Sequence, residues 1–457
     1  MKLTIDQFPR KWNINSSQAN SPLGVRGRYF HLKKLFQLFL LFGFVFAGCS
    51  DSVEETVTYR INEPVFMSSE QFRSSVKVSS ASRKIEKAGK ICFYNGYLYI
   101  SESQKGIHII DNQNPANPEI VGFIELLGNA DLAIRNNMLY ADSFVDLVWF
   151  DISKPAQPAL KGRLENIFTT ALPISENNVG IDWEMCYDNN ASKGVIVGWK
   201  EVERTEDVEK HSGSWGWPWW KGGLSYDEAY SSTQSGNSTS GVNGSMSRFT
   251  IYQDNLYTVL NNTMNIFNLT GDAPTKAAEN IYIGWNVETI FSYKTNMFMG
   301  TPTGMIIYSV ADPLKPVYQS SIQHFFGCDP VVVEDDIAWV TIRSGNNCGQ
   351  NSNELIVVDV KDVKNPKQIK KYDMTNPKGL GIDNGTLFLC DDGLKIFKVT
   401  DPLTIMSNKL AHYKGMDGFD VIPFNNTLMM IAEDGLYQYN YTDINNIKSL
   451  SKLPIGN

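Results

Sequence analysis

Four charged residues, Asp131, Arg248, Asp329 and Asp420, stand at the start of apolar segments that recur along the chain. Three carboxylates and a guanidinium around one opening could hold a polar ligand or a metal ion. A pair of carboxylates with split acidities could also do acid–base work. The same residues could instead be satisfied by hydrogen bonds in a water-filled channel. A second group is aromatic: Trp215, Trp217, Trp219 and Trp220 lie within six residues. Each Trp removes roughly 150–250 Å² from water when packed. Trp also stacks on the apolar face of sugar rings, is enriched at protein-binding hot spots, and favours the membrane interface. The cluster can therefore fold back on its own protein, serve as a platform for a glycan or protein, or enter a lipid surface.

Other chemical signals are weak. The five His residues (His31, His108, His211, His324 and His412) have no metal-type spacing. There is no Gly-x-Ser-x-Gly elbow and no phosphate loop. The run "DDG" at 391–393 lacks the rest of an EF-hand loop. No catalytic residue, metal ligand or cofactor is assigned. The 457 residues carry 41 Lys+Arg against 49 Asp+Glu, a charge of -8, which argues against a nucleic-acid partner. Six Cys in this length are too few for a disulfide scaffold.

The elements that must position these groups come from self-comparison. "GIHIIDNQNPANPEIVGFI" at 106–124 matches "LVWFDISKPAQPALKGRL" at 147–164, "MIIYSVADPLKPVYQSSI" at 305–322 and "LIVVDVKDVKNPKQIKKY" at 355–372. Weaker copies begin at 264, 395 and 437, making seven. Upstream of each lies a second pattern, as in "KICFYNGYLYI" at 90–100 and "DLAIRNNMLYA" at 131–141. It reads as an apolar strand, a tight Asn, Asp or Gly turn suited to φ > 0, and an aromatic-rich strand. Each unit is thus four short strands, A to D. The expected fold is an all-β, seven-bladed β-propeller of four-stranded blades, with a long insertion between blades 2 and 3. Residues 88–457 form this propeller and 168–245 the Trp/Gly-rich insertion, which ends in flexible Gly/Ser/Asn-rich chain. The capping-box spacing of Ser68 and Gln71 marks a short helix within an N-terminal segment, 63–87, that packs on the propeller. A strand over 56–66 could pack there or close the ring.

The signature "LIVVDV" at 355–360, followed by Asn-Pro turns, resembles the LVIVD-repeat family, as do "GVIVGWKEVERTEDVEKH" and "GSMSRFTIY" in and after the insertion. The resemblance covers roughly residues 60–457 and suggests a lipoprotein of the Bacteroidota. It implies a seven-bladed propeller and no established catalytic activity.

The N-terminus reads as an address. Four basic residues precede a 13-residue apolar run, Leu35 to Ala47, that is too short to span a bilayer of about 30 Å. Its end, "FAGCS", resembles a bacterial lipoprotein signal. Residues 1–48 are then a signal peptide, Cys49 the lipidated residue and 49–62 a tether. Removing that segment leaves 34 basic and 48 acidic residues. The acidic "SDSVEE" at 50–55 resembles a surface-export signal. The expected location is the outer membrane, at the cell surface if that signal operates.

Propeller geometry puts the B–C and D–A loops on one face. The insertion and a long B–C loop at 343–354 both fall there, so function is sought on that face. Cys328 and Cys348 flank the same region of blade 5. As a disulfide they would close a loop of about 20 residues, worth roughly 3 kcal/mol; the alternative is two free thiols. Cys92, Cys186 and Cys390 read as buried hydrophobes on strands. The functional expectation is a non-enzymatic binding or scaffold protein recognising an envelope protein or glycan through the loop-rich face. The alternative is a hydrolase or lyase acting on a polysaccharide at the channel mouth.

Overall fold

The computed structural model describes residues 56–187, 193–207, 240–284, 286–302, 304–323, 330–344 and 352–456. These form an all-β structure of antiparallel sheets. Among the described residues, six sheets have four strands, one has six and one has three. Four consecutive strands, in the order A-B-C-D, make up each of units 1 to 7: 88–125, 132–164, 249–282, 289–323, 331–373, 380–413 and 418–454.

Local chemistry explains the unit. The A–B hairpins turn through residues of positive φ: Asn95 and Gly96, Asn136 and Asn137, Asp335 and Asp336, Asn384 and Gly385, Asn425 and Asn426. Asn and Asp tolerate that region better than other side chains, and it gives a hairpin the right twist. The C–D turn is a pair of Asx turns. In unit 5, Asp359 Oδ1 accepts from Lys361 N and Asp362 Oδ1 from Lys364 N, each at 3.0 Å. Asp111 and Asn114 do the same in unit 1, and Asn440 and Asp443 in unit 7. This is the physical content of the repeated Asp-x-x-Asn-Pro signature. Every C–D pairing then contains a register shift, a bulge that raises the local twist.

Burial falls from A to D. In unit 5, Ile337–Ile342 and Glu354–Asp359 are largely buried, whereas Lys367–Asp373 is exposed except at Tyr372. Inner strands covered on both faces carry unbroken apolar runs, while the outer edge carries lysines that discourage pairing with another chain. Apolar clusters join each unit to the next. Ile109 shares a core with Phe150, Trp149 with Phe267, Tyr257 with Met299, Phe298 with Trp339 and Phe397, and Phe388 with Tyr439. Unit 7 returns to unit 1 through Met429 and Ile100. Buried Asn112 and Gln438 exchange hydrogen bonds of 2.9 and 2.6 Å across that junction.

The N-terminal segment departs from the expected boundaries. Residues 56–62, assigned above to a tether, belong to the strand Thr56–Met67. It pairs antiparallel with Val195–Asp207 of the insertion, and Ile61 and Asn62 pair in parallel with Gly180 and Ile181. Buried Asn62 anchors this small sheet, its Nδ2 donating to Asn177 Oδ1 at 2.6 Å and Val179 O at 3.0 Å. The strand closes no ring, because unit 7 supplies its own four strands. The helix Ser69–Ser74 starts at Ser68, whose Oγ accepts from Gln71 N. Its Phe72 packs with Phe144 and Val195, and Arg73 Nε donates to buried Asp146 at 3.0 Å. Lys77–Ser79 then adds an outer strand to unit 1.

Gly304 opens strand C of unit 4 at φ +145, where an added Cβ would lie 2.0 Å from Ile322 O. Gly304→Ala is expected to lower the urea unfolding free energy by about 1–3 kcal/mol. Gly198→Ala, with nothing within 4 Å of the new Cβ, should change it by less than about 0.5 kcal/mol.

Candidate functional site

The A strands of successive units pack on one another, so each sheet turns one edge toward a common axis. That axis is where the charged residues were expected to gather. Residues 240–248, the end of the insertion, run along it. Val242 and Asn243 pair with Phe93 and Cys92 on the inner edge of unit 1. Ser240 bridges Arg135, Gly241 N donates to Ile134 O at 2.7 Å, and Gly244 N donates to Ile91 O at 3.2 Å. Small residues are required for this approach. A Cβ on Gly244 would fall 1.9 Å from Asp420 Oδ2. The stretch 240–245, read from composition as flexible chain, is thus a bonded element of the interior.

This segment consumes two of the predicted carboxylates. Asp420 is 1% exposed, and its Oδ1 accepts from Ser245 N at 2.8 Å, Ser245 Oγ at 3.1 Å and Val421 N at 2.9 Å. Ser245 Oγ in turn accepts from Leu380 N at 2.6 Å. Asp131 is fully buried, and its Oδ1 accepts from Ser247 Oγ at 2.7 Å and Leu132 N at 2.8 Å. Its Oδ2 accepts from Arg248 N. Lys90 Nζ donates to Met246 O at 2.5 Å. Burial pushes the Asp420 carboxyl up to about 7, against the pull of the Val421 N–H, Lys90 and Ser245.

The structure therefore places Asp131 and Asp420 on one nine-residue run, as acceptors rather than as groups facing an open site. Arg248, the last residue of that run, lines a small cavity of about 40 Å³ with Asp142, Phe144 and Phe168. Half-buried Asp142 accepts from Ala130 N at 2.7 Å and Asp131 N at 2.9 Å, and desolvation lifts its carboxyl to about 6. Cys49, Trp215, Trp217, Trp219, Trp220, Cys328, Asp329 and Cys348 lie outside the described residues. Cys92, Cys186 and Cys390 are buried free thiols; Cys186 sits on the short helix Trp183–Tyr187 rather than on a strand. Among the described residues, no three His, Cys, Asp or Glu side chains group as a metal site.

The larger opening is at the other end of the axis, beside the A–B turns, where no site was sought. It is a cavity of about 570 Å³. Five of its lining residues, Tyr252, Tyr293, Glu334, Asp383 and Phe424, occupy one position of the repeat, the last of strand A before the turn. Units 1 and 2 have Tyr94 and Arg135 there, on the side covered by 240–243. The signal was present in the aligned repeats, as a column whose residues change chemistry while the flanking turn stays constant.

An acid whose folded pKa exceeds its unfolded value holds its proton more tightly when folded. Asp420 therefore subtracts stability as pH rises from about 4 to about 7. Asp420→Asn, which keeps the accepting oxygen, should flatten the fall of unfolding free energy across that interval, measured by urea titration at several pH values. An unchanged slope would contradict the assignment.

Sheets of this kind, stacked by their inner strands, define a repeat protein of propeller-like architecture. Residues 86–125 and 128–166 match the LVIVD repeat model. No curated protein sequence matches the chain. Among solved structures, the chain is similar to the computationally designed Ika8 protein, at 8% identity over 82% of this chain and 90% of that one, with a TM-score of 0.46. It is also similar to Hsv2 of Kluyveromyces lactis, at 11% identity over 81% and 99%, with a TM-score of 0.42. Sqt1 of Saccharomyces cerevisiae gives 10% identity over 88% and 100%, with a TM-score of 0.42. These identities are too low to bear on function.

Proposed function

We propose that this chain is a lipid-anchored, seven-bladed propeller of the outer membrane that binds an envelope protein or glycan and does no chemistry in its channel. The observation that carries this reading is the burial of Asp131 and Asp420 as acceptors of the segment 240–248, beside an N-terminal ribbon in which Thr56–Met67 pairs with Val195–Asp207 of the insertion. Thr56 pairs with Asp207. The ribbon is cross-braced. Arg60 pairs with Glu201 at 2.7 Å, and Arg204 reaches Asp182 at 2.7 Å and Glu63 at 3.0 Å.

A polysaccharide hydrolase or lyase at the loop-side mouth of the channel would need uncommitted carboxylates there. Asp131 and Asp420 are both spent on the segment 240–248.

The test is a pull-down from native envelope with a 56–457 fragment, followed by titration of the partner it retains. Trp219→Ala and Trp220→Ala should each weaken that partner by roughly 30-fold, the size of a hot-spot truncation, with an unchanged thermal midpoint. Unchanged binding with a lowered midpoint would assign the cluster to packing instead. Mass spectrometry of Cys49→Ser in the full chain should show the diacyl modification lost.

A further inference from the structure

We propose that the turn-side mouth of the channel binds a small organic cation, an ammonium group carried on an apolar body. The cavity, about 570 Å³, falls within the range of roughly 300–1,000 Å³ usual for small-molecule sites. Val242 of the inner segment, paired with Phe93 of unit 1, is part of its lining. Tyr252, Tyr293 and Phe424 supply aromatic walls, and Glu334 and Asp383 supply carboxylates. The molecule already shows that these rings accept an ammonium: Lys294 Nζ lies 5.0 Å from the centroid of Tyr293.

The polar groups favour a ligand that only donates. Glu334 is held by Asn384 N at 2.9 Å and Gly385 N at 2.7 Å. Asp383 is held by Tyr441 Oη at 2.8 Å and Asn384 Nδ2 at 2.9 Å. These donors fix the carboxylates and leave lone pairs for a visitor. Lys294, the one cation among the described lining residues, is tied to Asp336 at 2.5 Å. Ser292, also in the lining, is 6% exposed, and its Oγ has no hydrogen-bond partner among the described residues. A buried hydroxyl without a partner costs free energy that a ligand can return. Burial first, then Asp335 and Asp383, raise the Glu334 pKa; a bound cation would relieve that strain, whereas an anion would add to it. A neutral sugar would leave the excess negative charge unanswered.

An ammonium of this kind could be a free amine or the side chain of a lysine in a peptide. Calorimetry on the full chain with n-butylammonium, N-acetyl-lysine methylamide and methyl glucoside separates the cases. Saturable one-to-one binding of n-butylammonium, without binding of methyl glucoside, is the expected result. Equal affinity for the lysine derivative indicates a free amine, and tighter binding of it a peptide; either supports the site. Glu334→Gln and Tyr252→Leu should each weaken binding by about three- to thirty-fold. If Glu334→Gln melts early, Asp383→Asn takes its place. Absence of saturable binding, or binding that all these variants leave unchanged, would overturn the proposal. The Trp219 and Trp220 variants should bind n-butylammonium normally, so this test and the partner titration fail independently.

Discussion

A sheet that ends at its first strand leaves a row of backbone N–H and C=O groups without partners. Here the first strands of successive sheets converge, so that cost is concentrated at one axis. The inner segment meets part of it. It adds a short strand to unit 1, and it lends the hydroxyl of Ser245 to Leu380 N in unit 6. Asp420 can be buried because it accepts from that same serine. Gly379 N, one residue earlier, donates to Phe419 O, linking units 6 and 7 directly. The interior charge pattern follows from edge satisfaction rather than from chemistry on a substrate.

The two ends of the axis have different characters for the same reason. At the loop end, the N-terminal helix and the described residues of the insertion pack on units 1 and 2. Phe72 packs on Phe144, and Ile174 N donates to Gln104 Oε1 at 2.9 Å. At the turn end, constant hairpins leave one variable residue per unit facing inward. A uniform repeat thus yields an asymmetric mouth: aromatic in units 3, 4 and 7, acidic in units 5 and 6.

Much of this was legible in the residues. Asn and Asp at the turns, the double Asx motif and the Ser68 cap are local signals that translate directly into backbone geometry. Apolar runs marked the inner strands because those are covered on both faces. What could not be read was long-range. Thr56–Met67 finds its partner in the insertion, and no local pattern names Val195–Asp207 as that partner. The run Ser240 to Ser247 has the composition of a linker. Small side chains make a chain flexible in water, but they also let a backbone pass within bonding distance of the crowded inner strands of units 1, 2, 6 and 7. Position in the fold decides between these outcomes. The column of Tyr252, Tyr293, Glu334, Asp383 and Phe424 stands in the sequence as the last residue of each A strand, but only the convergence of the units shows that these positions share one mouth.

The ribbon also bears on the order in which the chain can assemble. Arg60 and Glu201 are 141 residues apart, and Ser245 and Asp420 are 175 apart. Contacts of such separation must overcome a large loop-closure entropy before they reward it, and they slow folding. The strand Thr56–Met67 has no cross-strand partner until the insertion exists, and the interior seals only once unit 7 is complete. The edge of Thr56–Met67 thus stays open until residue 207 of the 457 has been made, and the pairing of a leading strand with a distant insertion becomes a checkpoint that the repeats themselves do not need.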